Sequence, residues 1–206
     1  LETYKSLEDY YAGANAWHGD SGEMRVERPR VQWDILDAWR EAANQQGIPK
    51  IEEFNRGDNE GCAYFQMTQK RGERWSMADA YLHPIRHRQN LTILTQAQVL
   101  QLNLIPTQSQ TQNNPRQQKN AWYGAAWEVS GLDLLHAGSR LTAHARDQVI
   151  LSAGSIGSPQ LLQVSGIGAH QHLESIGVKT KVDLSGVGEN LQDHLQIRAV
   201  YQVDHC

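Results

Sequence analysis

Cysteine is scarce in this 206-residue chain: Cys62 and Cys206 are the only two, far apart in sequence. That excludes a disulfide framework and suits a reducing compartment. Long apolar runs are missing too, and none approaches the roughly 20 residues that a membrane-spanning helix needs. Positive charge is not in excess: 19 Lys and Arg face 23 Asp and Glu, for a formal net charge of −4. With a pI near 6.1, this argues against a nucleic-acid surface. Hydrophobic residues make up 39% of the chain and the mean hydropathy is −0.60, the values of a soluble, rather polar protein. The first residue is not Met and no signal-peptide pattern follows it.

Two further absences bear on chemistry. A G-x-G-x-x-G turn followed by an acidic residue about 20 positions on is the fingerprint of a self-contained dinucleotide site, and it is missing. The short Gly154-Ser155-Ile156-Gly157 does not supply it, which removes a nicotinamide-dependent Rossmann enzyme from consideration. The loop at 51–61 is rich in Asp, Asn and Glu, but its spacing is no EF-hand. No metal site is expected.

What is present is a mixture of helical and strand patterns. Leu1, Tyr4, Leu7 and Tyr11 share a helical face from the first residue onward. The alternation at 195–203 reads as a strand with nothing after it to pair with. Both ends read as cuts through structure, so the chain is expected to be an internal fragment of a longer protein. Residues 17–22 form a turn cluster ahead of a strand at 23–27, and His18 is expected to bond to backbone there. Val31, Ile35, Leu36, Trp39, Ala42 and Ala43 make an apolar helix face, stopped by Gly47 and Pro49; core packing is expected of it. Strands are expected at 62–69, 90–95, 97–104, 121–129, 140–145 and 178–184, with a turn at 70–73 and a Gln/Asn-rich excursion at 106–120. Ser76 with Asp79 forms a capping box ahead of a short helix.

Residues 148–168 read QVILSAGSIGSPQLLQVSGIG. Val149, Ile150 and Leu151 suit a buried parallel strand, Ala153-Gly154 a turn, and Ser158-Pro159 the start of a helix that continues through Leu161, Leu162 and Ser165 until Gly166 and Gly168 end it. Such a strand, glycine turn and helix N-terminus offer free N–H groups to an anion, although the same pattern serves as a plain connection. The string G-S-x-x-S-P-x-L-L-x-x-S-G-I-G over 154–168 resembles the second signature of the glucose–methanol–choline (GMC) flavin oxidoreductases. TQKRGERWSMADAYLHP at 68–84, GVGENLQDH at 186–194 and the HG-x-x-G step at 18–22 resemble further patterns of that family. The wording is closest to its choline and aliphatic-alcohol dehydrogenase branch, and the resemblance runs from about Tyr4 onward, apart from the 106–120 excursion.

The resemblance implies a fold of the α/β class with α+β character: part of an FAD-binding, Rossmann-like domain and part of an antiparallel-sheet substrate domain. Residues 1–71 would belong to the substrate domain, 72–193 to the FAD-binding domain, and 194–206 would return to the substrate domain. The cofactor implied is FAD. Val99 would contact its adenine through the backbone, and Ala153 and Gly154 would close around its ADP portion. The reaction implied is transfer of hydride from a primary alcohol to flavin N5, with oxygen, a quinone or another acceptor reoxidising the flavin. The family's C-terminal His motif has no match here, so no catalytic residue is assigned to this chain and the fragment by itself is expected to be inactive.

His194 has two readings, a residue of the substrate cavity or a structural turn residue. Gln196 stands where choline-oxidising relatives carry a Glu facing the trimethylammonium group. On an alternating strand Gln196 and Arg198 share a face, a poor surface for a quaternary ammonium, so a neutral primary alcohol is expected. Choline dehydrogenase proper and a non-catalytic module that keeps part of the fold are the alternatives. The expected location is cytoplasmic or peripheral at the inner membrane.

Overall fold

The computed structural model of the chain describes residues 1–107 and 127–202. The chain divides into two compact units, Leu1–Thr92 with Ala199–Cys206, and Ile93–Arg198. The boundary expected at 71/72 falls inside the first unit, in a tight turn between two paired strands.

The first unit opens with helix α1 (Glu2–Leu7), shorter than the periodicity suggests. The backbone turns extended at Glu8, with φ −89° and ψ 139°, and enters β1 (Glu8–Tyr10). β1 pairs in parallel with β2 (Met24–Val26). Pairing captures the end of the apparent helix because it buries Tyr10, 3% exposed, while Tyr4 stays 78% exposed. The HG-x-x-G step serves the same contact: a Cβ on Gly19 would lie 1.9 Å from the Lys5 carbonyl oxygen, and one on Gly22 would lie 2.1 Å from the Leu7 carbonyl carbon. Glycine is what lets the two segments meet.

Helix α2 (Asp34–Gln45) forms where expected. Gly47, at φ +88°, ends it in a Schellman arrangement, with Ile48 N–H donating to Ala43 O and Gly47 N–H to Asn44 O. Its apolar face, however, is not core: Ile35, Leu36 and Trp39 stay exposed and only Ala43 is buried. The expected strand at 62–69 is also absent as such. Cys62 bridges Lys50 and Met67 bridges Glu27, different neighbours that build no continuous ladder. The ladder that does form is a two-residue hairpin of β3 (Gln69–Lys70) and β4 (Glu73–Arg74). Its turn residues Arg71 and Gly72 are both left-handed, the geometry that suits the strands' twist. The capping box is present, since Ser76 N–H and Oγ donate to Asp79 Oδ2 at 2.8 and 2.6 Å. It opens a π-helical turn, Ala78–Leu82, followed by a 3-10 turn, His83–Ile85.

The second unit is built on a three-stranded antiparallel sheet in the order β5-β6-β7. β5 spans Ala97–Pro106, β6 Trp127–His136 and β7 Ser139–His144. Residues 90–95 form no strand. The expected excursion at 106–120 lies outside the described residues from 108 onward, as does 121–126 of the expected strand at 121–129. β6 continues well past that expected end, and Ala137-Gly138, both at positive φ, turns it into β7.

Helix α3 (Gly154–Val164) packs on β5, with Leu102, Leu161 and Ile167 as the buried core. Each such side chain contributes about 1.5–3 kcal/mol of burial. β8 (Ile167–Gly168), which the sequence reads as helix end, pairs in parallel with β9 (Val182–Asp183). Between them helix α4 (His170–Ser175) inserts Leu173, fully buried. β9 is the only part of the strand expected at 178–184 that forms among the described residues. Val149 and Leu151 pack against the core while Ile150 is 76% exposed. The buried strand expected at 149–151 is therefore not formed: Ile150 faces outward, and no partner strand lies beside these residues among the described ones. Residues 195–202 likewise carry neither helix nor strand, and Leu195, Ile197 and Val200 are exposed. An extended segment without a neighbour has no ladder to join.

Candidate functional site

The signature at 154–168 folds into one device with two ends. At its start, α3 begins at Gly154 rather than at Ser158. The reason is local: Ser158 Oγ accepts the Ala153 N–H at 3.0 Å, so Ser158 acts from inside the first turns instead of capping them. Pro159 then lies within the helix. Gly154 is left-handed at φ +84°, and a Cβ there would meet nothing within 4 Å. The helix therefore opens on exposed backbone with space in front of it. The first N–H groups of a helix have no intrahelical acceptor and carry partial positive charge. With the Ala153 N–H taken by Ser158, the bare backbone at Ala153-Gly154 leads to N–H groups from Gly154 onward that suit an anionic group at close range.

At its end, Ser165 caps α3 and is 3% exposed. Its Oγ donates to Leu161 O at 2.6 Å and accepts the Leu102 N–H of β5 at 2.8 Å. Val99 lies on that same strand, half-exposed, opposite Leu134 and beside a register irregularity between Val99 and Gln101. The structure thus joins the element that carries Val99 to the one that begins at Ala153. His194 and Gln196 are placed differently, in an exposed stretch without helix or strand. The face-sharing of Gln196 and Arg198 presupposes a strand that is not formed here.

Two functional-looking clusters were not legible in the sequence. His18 is buried at 6%, and its ring does not bond to backbone as expected. Nδ1 lies 2.9 Å from Glu8 Oε2, Nε2 lies 3.5 Å from Glu53 Oε1, and the ring stacks on Tyr10 at 4.0 Å. Tyr10 Oη donates to Glu53. Burial pushes the Glu53 carboxyl above its ordinary range; Arg56 opposes the shift and Glu8 adds to it. The other cluster centres on Asp133 in β6, which accepts hydrogen bonds from Asn103, Thr142, Arg140 and Gln101. The side-chain bond from Asn103, with Thr142 and Arg140 behind it, holds that carboxyl well below the usual range. Both clusters join residues from segments too far apart for spacing to announce them. Among the described residues no group of His, Cys, Asp and Glu is arranged to hold a metal ion. No helix there is long and apolar enough to cross a membrane.

A family profile described as "GMC oxidoreductase" matches residues 1–196, and the chain belongs to that family. Its relatives include mitochondrial choline dehydrogenase of Mus musculus, 33% identical over 96% of this chain and 30% of the relative. An oxygen-dependent choline dehydrogenase of Sinorhizobium medicae is 32% identical over 95% of this chain and 32% of the relative. The chain therefore spans about a third of the length of these proteins. Among solved structures, pyridoxine 4-oxidase from Mesorbium loti superposes with a TM-score of 0.73 at 29% identity, over 90% of this chain and 33% of that one. An FAD-dependent oxidoreductase from Chaetomium thermophilum shares the fold, with a TM-score of 0.73 at 20% identity over 90% of this chain and 31% of its own. FAD is the cofactor of this family, and the open, left-handed start of α3 is of a kind that fits its anionic portion.

Proposed function

We propose that the whole protein to which this chain belongs is an FAD-dependent oxidoreductase acting on the CH–OH group of a primary alcohol. Family membership over 1–196 carries the reading, and the exposed backbone at Ala153-Gly154 supports it. In this reading residues 1–71 and 194–206 belong to the substrate domain and residues 72–193 to the FAD-binding domain. Bound FAD supplies the hydride acceptor; the protein binds and orients it. Ala153 and Gly154 approach the ADP portion with bare backbone, and the Val99 backbone faces the adenine. His194 and Gln196 line the substrate cavity, and the catalytic base comes from sequence outside these 206 residues. The acceptor that reoxidises the flavin is oxygen, a quinone or another oxidant, and the protein works in the cytoplasm or peripherally at the inner membrane.

The substrate we favour is a neutral aliphatic or aromatic primary alcohol, because Gln196 puts a neutral side chain where a quaternary ammonium calls for an anion. The names of the relatives favour choline as the second reading. Purification of the whole protein should yield bound flavin that chromatography identifies as FAD, reducible anaerobically by primary alcohols. Neutral alcohols should exceed choline in kcat/KM by about 10-fold or more, a difference of about 1.4 kcal/mol in transition-state binding. Comparable turnover of choline selects the second reading, and absence of flavin refutes both. The 206 residues alone lack the G-x-G-x-x-G cradle and should retain little FAD; a stoichiometric flavin spectrum would contradict this.

A further inference from the structure

We propose that Ser165 is a positioning residue for the cofactor site, its hydroxyl fixing the strand that carries Val99 against the helix that Ala153 and Gly154 open. The inference rests on the FAD reading above and adds to it a residue that touches no cofactor atom.

β5 needs such a fixing point. Among the described residues it is an edge strand of its sheet, and no strand on its other side sets its position there. Its pairing with β6 is irregular twice, between Val99 and Gln101 and between Asn103 and Leu104. Leu102 lies between these two irregularities and is 3% exposed. Its N–H donates to Ser165 Oγ at 2.8 Å, and the same hydroxyl donates to Leu161 O at 2.6 Å. One oxygen thus accepts from the strand and donates to the helix, both in a buried setting that water does not reach. Among the described residues no other hydrogen bond joins α3 to β5.

The neighbouring residue holds the hydroxyl in place. Gly166 is left-handed at φ +89°, and a Cβ there would lie 2.7 Å from Lys179 O. The chain must therefore turn directly after Ser165 into β8, leaving the serine at the helix end and pointing at the sheet. The S-G pair of the signature is a lock followed by a turn. Without the lock, the irregular strand can settle differently against α3, and the backbone groups of Val99 move with it. Hydrogen bonds weaken steeply with misplacement, so a backbone contact to a bound cofactor would register a small shift.

The test uses the whole protein, stripped of flavin and reconstituted. Ser165→Ala should raise the Kd for FAD about 10-fold, the effect of about 1.4 kcal/mol, and should accelerate hydrogen exchange at the Leu102 amide. Ser175→Ala serves as the control: it removes an exposed serine hydroxyl that donates to the His172 carbonyl at the end of α4, away from β5, and its FAD affinity should stay within about twofold, as for independent sites. If Ser165→Ala yields no folded protein, the size-matched Ser165→Cys, with its weaker hydrogen bonds, should shift the Kd in the same direction by less. An unchanged Kd in the variant that folds, or an equal loss in Ser175→Ala, overturns the positioning role while leaving the FAD reading intact. A wild-type protein that takes up no FAD overturns both.

Discussion

Glu53 and Asp133 carry the same kind of carboxyl group into opposite surroundings. Glu53 is pushed up by burial, so its folded state favours the protonated form. The stability linked to it is complete below the ordinary Glu range and is lost as pH rises through the raised value. Glu53→Gln keeps the acceptor for Tyr10 and removes the buried charge. Its thermal midpoint should exceed that of wild type at about pH 7–8 and converge with it near pH 4. Asp133 is held down by the hydrogen bonds from Asn103, Thr142 and Arg140. Its contribution is present above the ordinary Asp range and fades as pH falls through the lowered value. Asp133→Asn should therefore melt earlier than wild type at about pH 7, and the gap should close in strong acid. Melting curves of both variants across pH check the two signs together, and a gap that runs the other way contradicts the environment assigned to that residue.

Elements were legible where the signal is local. The Gly47 stop of α2, the Ser76–Asp79 box and the left-handed turn at Arg71-Gly72 depend on a few adjacent residues, and they formed as their chemistry dictates. Strands were less legible, because a strand is a relation between two segments. Val149 and Leu151 point inward with Ile150 outward, yet the pattern alone does not supply a partner. β8 was missed for the converse reason: two residues, Ile167 and Gly168, pair with β9 from inside a stretch that reads as helix end. Of the candidate site, Ala153-Gly154 could be read from its turn chemistry, while Val99 came only through resemblance. Ser165 reads from the pattern as one more helical residue, but its bond to Leu102 spans a separation no periodicity encodes. The HG-x-x-G step gives a test at this scale. A Cβ at Gly22 runs into backbone at Leu7, so Gly22→Ala should cost about 1–3 kcal/mol by forcing the 19–22 step away from the junction of α1 and β1. Denaturant unfolding measures it, and a midpoint equal to wild type would show that the segments yield without cost.

Taken as a whole, the chain spans about a third of the length of its relatives and holds two compact units. The first unit binds its cluster of Tyr10, His18, Glu8 and Glu53 inside; the second ties its sheet to α3. Helix α2 shows what that division leaves open. Trp33 at its N-cap and Ile35, Leu36 and Trp39 along it remain between 37% and 61% exposed, a contiguous greasy stripe of the kind that marks contact surfaces or invites self-association. While the polypeptide is being synthesised, this stripe would be wet before any later sequence could shield it. It is where a chaperone would grip a nascent chain, and where molecules of this segment produced alone would first stick to one another.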